Sequence, residues 1–209
     1  MKRTILFPLF LALLCACSQQ NLLQTGDLIF VGLPADAEAG SMDEAISLAT
    51  GEIVHVAIVE VQADTIWIID ATTSHGVDRR PLEAFLQDFT RPDGAFPDII
   101  VKRAMGIDAD AAVQRAKTFC GRQYDARFLP DNEEIYCSEL VQKSYLYADG
   151  RPMFECEPMN FKAPDGSMPP YWEQSFAQLG MEVPQGLPGT NPQKMSRDSC
   201  LVEVCRLSF

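Results

Sequence analysis

The sequence EEIYCSELV, residues 133–141, places one cysteine where a polar loop meets an apolar helical pattern. From Cys137 onward, apolar or small residues recur three, four, seven and eight positions later, which is the spacing of one buried helical face. They are Leu140, Val141, Ser144, Tyr145 and Ala148. The pattern predicts a helix that begins at Cys137 and turns this side chain inward. The partial positive charge of a helix N-terminus favours a thiolate there. A cysteine that packs only as a small apolar residue is the competing interpretation.

Two stretches upstream are rich in β-branched residues and predict adjacent strands over residues 53–61 and 65–72. Because side chains alternate along a strand, the turn between the strands decides whether His55 and Asp70 meet. An even-length turn centred on residues 62–63 makes them directly opposite, and one centred a residue later makes them diagonal neighbours. An odd-length loop puts them on opposite faces. A carboxylate in reach would hold the imidazole in one tautomer, as a general base requires. An ordinary polar pair on a half-exposed sheet is the alternative.

Cys137, His55 and Asp70 together form a set suited to covalent catalysis. A thiol beside an imidazole can form a thiolate–imidazolium pair, the activated nucleophile of acyl transfer. His75 is a rival base, but the surrounding sequence TSHG is typical of a loop. No Cys-x-x-Cys pair occurs, so we predict no zinc site and no other cofactor.

The start of the chain has the pattern of a secretory signal. Lys2 and Arg3 precede an apolar run over residues 5–14, which is too short to span a bilayer as a helix. The sequence LCACS at residues 14–18 resembles a bacterial lipobox, in which the last cysteine, here Cys17, is lipidated and becomes the first mature residue. We therefore predict a protein anchored to a membrane by acyl chains.

These features divide the chain into a signal peptide (1–17), a short tether (18–25) and a single catalytic domain (26–209). The expected location is extracytoplasmic, at the outer membrane if the organism has two membranes. The net charge is −12, and removal of the signal lowers it by two to −14. Such an acidic chain argues against nucleic acid as a partner and against electrostatic adhesion to anionic lipid.

Five cysteines lie beyond the signal: Cys120, Cys137, Cys156, Cys200 and Cys205. In an oxidising compartment an odd number leaves at least one of them unpaired, or paired between molecules. Which of them pair is open from the sequence. A redox role for Cys137 with Cys120 or Cys156 is therefore one further hypothesis.

Four stretches, taken in order, resemble the YiiX/YaeF-like proteins, the circularly permuted branch of the NlpC-type, papain-like amidases and peptidases. They are GDLIF (26–30), HVAIV (55–59), GRQYD (121–125) and YCSELV (136–141). In the unpermuted enzymes the cysteine helix comes first, whereas here the histidine strand precedes it, as in the permuted branch. The resemblance implies an α+β, papain-like fold in which an antiparallel, barrel-like sheet packs against the helix that bears the cysteine nucleophile.

By the same resemblance Cys137 is the nucleophile and His55 the general base. Asp70 takes the third polar position, which varies among Glu, Asp, Gln, Asn and His in such families. Tyr124 matches a tyrosine upstream of the cysteine in the unpermuted enzymes, where its phenol would support the oxyanion together with the Cys137 N–H. A packed aromatic with a satisfied hydroxyl is the alternative for Tyr124.

The implied activity is that of a cysteine amidase or peptidase working through a thioester. An extracytoplasmic location favours peptide or acyl-amide substrates, above all cell-wall muropeptides. Relatives such as the lecithin:retinol acyltransferase-like proteins process acyl groups, so an acyl-lipid hydrolase or acyltransferase is the alternative. Met153, Phe154 and the sequence PPYW at 169–172 are candidate linings of an acyl pocket. A non-catalytic muropeptide-binding lipoprotein is a third hypothesis, against which the retention of all three polar residues argues.

Overall fold

The protein is described by a computed structural model that covers residues 22–90 and 96–207. One six-stranded sheet, antiparallel throughout, forms its centre. In chain order the strands are β1 (Asp27–Gly32), β2 (Ile53–Gln62), β3 (Thr65–Thr72), β4 (Gly76–Pro81), β5 (Ile99–Ala104), β6 (Glu157–Pro158), β7 (Pro188–Gly189) and β8 (Leu201–Leu207). The sheet has the order β4-β3-β2-β1-β5-β8, with β4 and β8 as its edges, and β6 pairs with β7 in a separate ribbon.

Six α-helices occur in the described part of the chain. They are α1 (Met42–Thr50), α2 (Leu82–Phe89), α3 (Ala109–Lys117), α4 (Cys137–Ser144), α5 (Pro170–Gln178) and α6 (Pro192–Ser196). Polar side chains begin several of them, as N-cap residues do, because the first helical amides lack partners within the helix. The Ser41 hydroxyl, for example, accepts a hydrogen bond from the Glu44 N–H at the start of α1.

The two faces of the sheet pack against different helices. Strand β2 is buried on both faces, so its alternate residues join separate cores. Val56 and Ile58 pack with α3 and α4, whereas Ala57 and Val59 pack with α2. Burial on both sides explains why this strand reads as a continuous apolar run. A third cluster, largely aromatic, joins α1 to α5.

The observed elements confirm the predicted α+β class and the antiparallel sheet. They also correct the predicted length of the helix that begins at Cys137. This helix ends at Ser144, where Tyr145 adopts an extended conformation and donates its hydroxyl hydrogen to the Gly26 carbonyl. Tyr145 is therefore buried as expected, but Ala148 is exposed in the following turn.

The N-terminal predictions fall largely beyond the described residues. The signal peptide (1–17), including Cys17, lies outside them. Of the predicted tether (18–25), only residues 22–25 are described, and there Leu23 is buried in the core on the α2 side and the Thr25 hydroxyl bonds with the backbone of Val61, so these residues pack with the domain. Within residues 22–90 and 96–207, no helix combines the length and apolar character that crossing a membrane requires.

Candidate active site

Strands β2 and β3 bring His55 and Asp70 together. Their register pairs Ile58 with Ile69, and the same register centres the turn on residues 63–64. His55 and Asp70 are therefore diagonal neighbours, the second of the two arrangements that an even-length turn allows. His55 Nε2 lies 2.9 Å from Asp70 Oδ2, and the exposed fractions of the two side chains are 12% and 1%. The predicted carboxylate–imidazole pair is present.

Cys137 reaches the same histidine from the other core. It is the first residue of α4, and its side chain is buried among residues that pack on the α3 and α4 face. A bulge in the β1–β2 ladder lies beside His55, since Val31 pairs with His55 but Gly32 pairs with Ile53. Bulges of this kind redirect side chains at the end of a ladder. The imidazole is hydrogen-bonded to Asp70, and Cys137 lies close enough to raise the pKa of His55 as well.

The surroundings of His55 favour its protonated form. Burial by itself would lower the pKa of His55, but the hydrogen bonds to Asp70 and Cys137 and the charges of these two groups outweigh it. Together they raise the pKa of His55 to about 10. Two rings of α2, Phe85 and Phe89, lie beside the imidazole at centroid distances of 6.2 and 5.6 Å. An imidazolium in this position stabilises a thiolate beside it.

Tyr124 lies close to the thiol, as predicted. It is half-buried and lines the same cavity as Cys137. Burial, and then the charge of Cys137, raise the pKa of Tyr124 well above its ordinary value of 10, so the phenol stays neutral and can donate a hydrogen bond. The loop before Tyr124 is fastened to β4, because Gly121 N–H donates to the Val77 carbonyl and Val77 N–H donates to the Arg122 carbonyl, both at 2.8 Å.

Sequence reasoning missed two charged residues that the fold brings to this site. Asp43, in the first turn of α1, had signalled only a helix start. Burial raises the pKa of Asp43, while the charge of His55 lowers it, and Asp43 in turn contributes to the raised pKa values of Tyr124 and Tyr171. Arg80, on β4, contacts the carboxylate of Asp70 from the side opposite to His55. Nothing in the local sequence pattern singles out either residue.

A cavity of about 400 Å³ adjoins Cys137 and Tyr124. Aromatic and methionine side chains supply much of its wall. They include Phe128, Tyr136, Met153, Phe154, Phe161 and Trp172. Met153, Phe154 and Trp172 were candidates for an acyl pocket from the sequence, and they line this cavity. Pro169, Pro170 and Tyr171, the other members of that candidate set, are not among its lining residues.

The remaining candidate residues lie apart from the thiol. His75 is largely exposed, and its Nε2 faces Asp88 Oδ2 at 3.8 Å, so the rival base is not the partner of Cys137. Glu139, in the first turn of α4, has a structural role, since it accepts a hydrogen bond from the Tyr136 N–H and pairs with Lys143 at 2.9 Å.

All five cysteines of the described chain are free thiols. Cys120 and Cys156, the redox partners considered above for Cys137, are both exposed, whereas Cys137 is buried.

A buried cysteine at a helix start, facing a histidine on an antiparallel sheet, is the arrangement of the papain-like enzymes. The chain matches the family described as "Permuted papain-like amidase enzyme, YaeF/YiiX, C92 family" over residues 22–205, and it belongs to that family. The resemblance drawn from the four sequence stretches is thereby confirmed.

A similar solved structure is described as that of the metalloprotein YiiX from Escherichia coli O157:H7. It is 24% identical to this chain, with a TM-score of 0.67, and the match covers 88% of this chain and 97% of the other. At this identity the likeness concerns the fold alone. In the described residues of the present chain, no three or more His, Cys, Asp or Glu side chains gather into a metal-binding group. No curated protein matches the chain.

Proposed function

We propose that the protein is a cysteine amidase or peptidase that cleaves an amide bond through a thioester on Cys137. One observation carries the proposal: the largely buried imidazole of His55 is hydrogen-bonded to Asp70, and Cys137 lies close enough to raise the pKa of the same imidazole. Membership of an amidase family supports the reaction class. The roles of the individual residues follow from their chemistry at these positions.

In the proposed reaction, the proton of the Cys137 thiol passes to His55 and the thiolate attacks the amide carbonyl. The oxyanion that forms would be held by the Cys137 N–H, which has no partner within the helix, and by the phenol of Tyr124. When the C–N bond breaks, His55 returns its proton to the leaving amine and a thioester remains. Water, deprotonated by His55, then attacks the thioester, releases a carboxylic acid and restores the thiol.

For the substrate we propose a peptide of the cell envelope. The predicted signal peptide and the lipidation of Cys17 would place the enzyme outside the cytoplasm, tethered to a membrane, where cell-wall muropeptides present amide bonds. Incorporation of a radiolabelled or alkyne-tagged palmitate into the wild type, and its loss in Cys17→Ala, would test this location.

The cavity beside Cys137 favours a second candidate substrate, an acyl chain. The aromatic and methionine part of the wall, in a cavity of about 400 Å³, could hold the tail of an acyl-lipid or of an N-acyl amide, while charged residues such as Arg151, Glu157 and Lys194 line the rest. The reaction on Cys137 would be the same, with an acyl ester or amide bond cleaved or its acyl group transferred.

The test is turnover of purified muropeptides and of N-acyl amino acids and phospholipids, followed by mass spectrometry. Wild type is compared with Cys137→Ala, His55→Ala and Asp70→Asn. We expect Cys137→Ala and His55→Ala to lose at least about 10³-fold in kcat on the true substrate, because each removes the activated nucleophile. Turnover that survives in Cys137→Ala would contradict the mechanism. Binding of muropeptides without turnover in the wild type would instead support a non-catalytic binding protein.

A further inference from the structure

The polar contacts at the candidate active site continue beyond Asp70 to the next strand. In the β3–β4 register Ile68 pairs with Arg80, so Arg80 is a diagonal neighbour of Asp70, just as Asp70 is of His55. Arg80 Nη2 lies 3.3 Å from Asp70 Oδ2 and 3.4 Å from Oδ1. The oxygen that faces the imidazole is thus held from its other side by a guanidinium, and both Arg80 and Asp70 are buried.

Helix α2 fixes Arg80 in turn. The Arg80 Nη1 atom donates to the Asp88 carboxylate, and the guanidinium lies over the ring of Phe85 at 5.7 Å. Phe85 is also one of the two rings that cover His55. Helix α2 therefore contacts both His55 and Arg80, the two residues that flank Asp70.

The contact between Arg80 and Asp70 is better suited to orienting the Asp70 carboxylate than to stabilising the folded protein. Arg80 Nε is buried and has no hydrogen-bond partner within the described residues, and an unpaired buried donor is costly. Asp78 stands directly opposite Asp70 across the strands, so a second carboxylate repels the one that His55 needs. Buried ion pairs in general contribute little net stability after desolvation. A guanidinium is the group that can hold a carboxylate against such repulsion, because its donors are fixed in one plane.

We propose that Arg80 is a positioning residue of the candidate active site: it fixes the Asp70 carboxylate so that Oδ2 faces His55 Nε2, and so directs the imidazole toward Cys137. Arg80 acts through Asp70 and touches neither the thiol nor a bound substrate. The inference rests on the proposed function, because it assumes that His55 activates Cys137.

The neighbouring Arg79 provides a matched control. It lies on the same strand but on the other face, where its Nε donates to Glu60 Oε2 at 2.5 Å and its guanidinium covers the Trp67 ring at 3.9 Å. It is thus an arginine whose buried carboxylate partner, Glu60, lies even closer than Asp70 lies to Arg80, but which has no contact with Asp70. If the arginines only support the fold, substitution of either one should lower the rate of Cys137 alkylation. If Arg80 positions Asp70, only the substitution of Arg80 should lower this rate.

The experiment measures the rate of Cys137 alkylation by iodoacetamide between pH 5 and 9, by peptide mass spectrometry, in folded protein. Arg80→Gln should lower the rate at neutral pH by at least about fivefold, within the range of couplings between contacting residues. Arg80→Lys, which keeps the charge, should restore part of it, and Arg79→Gln should stay within about twofold of the wild type. In an Asp70→Asn background, Arg80→Gln should have no further effect.

A wild-type alkylation profile in Arg80→Gln, or an equal loss with and without Asp70, would overturn the inference. If Arg80→Gln does not fold, Arg80→Lys carries the same comparison, since positioning through Asp70 predicts a changed rate that vanishes in the Asp70→Asn background. His55→Ala separates this inference from the proposed function. If His55→Ala is alkylated like the wild type, the proposed function fails, whereas a loss in His55→Ala without a loss in Arg80→Gln removes only the role of Arg80.

Discussion

His55 is the residue on which the candidate site depends, because it joins the two cores of the molecule. Its strand neighbours Ala57 and Val59 pack under α2, yet its pKa is raised by Cys137, which belongs to the opposite core. The pKa of His55 is raised because its interactions with Asp70 and Cys137 outweigh its burial. A single substitution of Asp70 or Cys137 should therefore change the protonation of His55, so such substitutions test the candidate site directly.

At the residue scale we predict that Glu139→Ala destabilises the protein by about 1–3 kcal/mol. The substitution leaves the buried Tyr136 N–H without its acceptor and Lys143 without its partner, next to the first turn that carries Cys137. Urea denaturation followed by circular dichroism measures the loss. As a control, Glu203→Ala removes an exposed carboxylate paired with Arg206 and should change stability by less than about 0.5 kcal/mol. Equal losses in the two variants would show that Glu139 does not support the helix start.

At the scale of elements, one hairpin and one loop assemble the site. Strands β2 and β3 deliver the imidazole and its carboxylate in a fixed register, and helix α4 delivers the thiol. The loop between α3 and α4 delivers Tyr124, and two backbone hydrogen bonds fasten its start to β4. The position of the phenol thus depends on the beginning of β4.

We predict that Gly76→Ala loosens this attachment and costs at least about 3 kcal/mol of unfolding free energy. Gly76 has a φ of +65°, and a Cβ atom there would lie 2.3 Å from the Arg122 carbonyl oxygen. Gly106→Ala is the matched control, because Gly106 has a similar φ of +83° but no atom within 4 Å of its Cβ position. It should cost only about 1–2 kcal/mol from backbone strain. Denaturant unfolding measures the unfolding free energies of the two variants. Similar losses would mean that the loop at Arg122 shifts at little cost to make room for the added Cβ atom.

At the scale of the whole molecule, the pH dependence of stability reports on where the proton of the site resides. A raised pKa for His55 means that the folded protein holds a proton that an ordinary histidine releases near pH 6.5. Stability gained this way is fully present below pH 6.5 and is lost as the pH rises toward the folded-state pKa. In the proposed mechanism, however, the proton on His55 comes from the Cys137 thiol, and net proton uptake on folding of the wild type would then be small.

We therefore predict that Cys137→Ser has a steeper loss of stability than the wild type between pH 6.5 and 8. The serine hydroxyl keeps its proton, so the proton that His55 holds beside Asp70 must be taken from solvent, a net uptake worth at most about 1.4 kcal/mol per pH unit. Urea titrations at several pH values measure both slopes. Cys137→Ser combined with His55→Ala should be flat over this range, whereas Cys137→Ser with His75→Ala should keep the slope. Equal slopes in wild type and Cys137→Ser would argue against a thiolate–imidazolium pair.

The sequence by itself determined the main elements around the candidate site and singled out its three residues, Cys137, His55 and Asp70. The helical spacing after Cys137 and the β-branched runs around His55 and Asp70 are local patterns, and local patterns predict where helices and strands begin. They also restricted the hairpin to two arrangements that bring the histidine and the carboxylate together. The family resemblance rests on the order of four short stretches along the chain, and this order can be read without knowing the fold.

Only the tertiary structure decided how these groups meet. It set the hairpin turn on residues 63–64, brought Cys137 and His55 together from opposite faces of the sheet, and placed Arg80 behind Asp70. The cavity is lined by segments that are distant in the chain. Packing of the whole helix also brings Asp43, in the first turn of α1, near enough to His55 for their charges to interact. These contacts join residues far apart in the chain, and their pairing depends on how whole elements pack. Periodicity describes which face of an element is buried, but not which other element covers it.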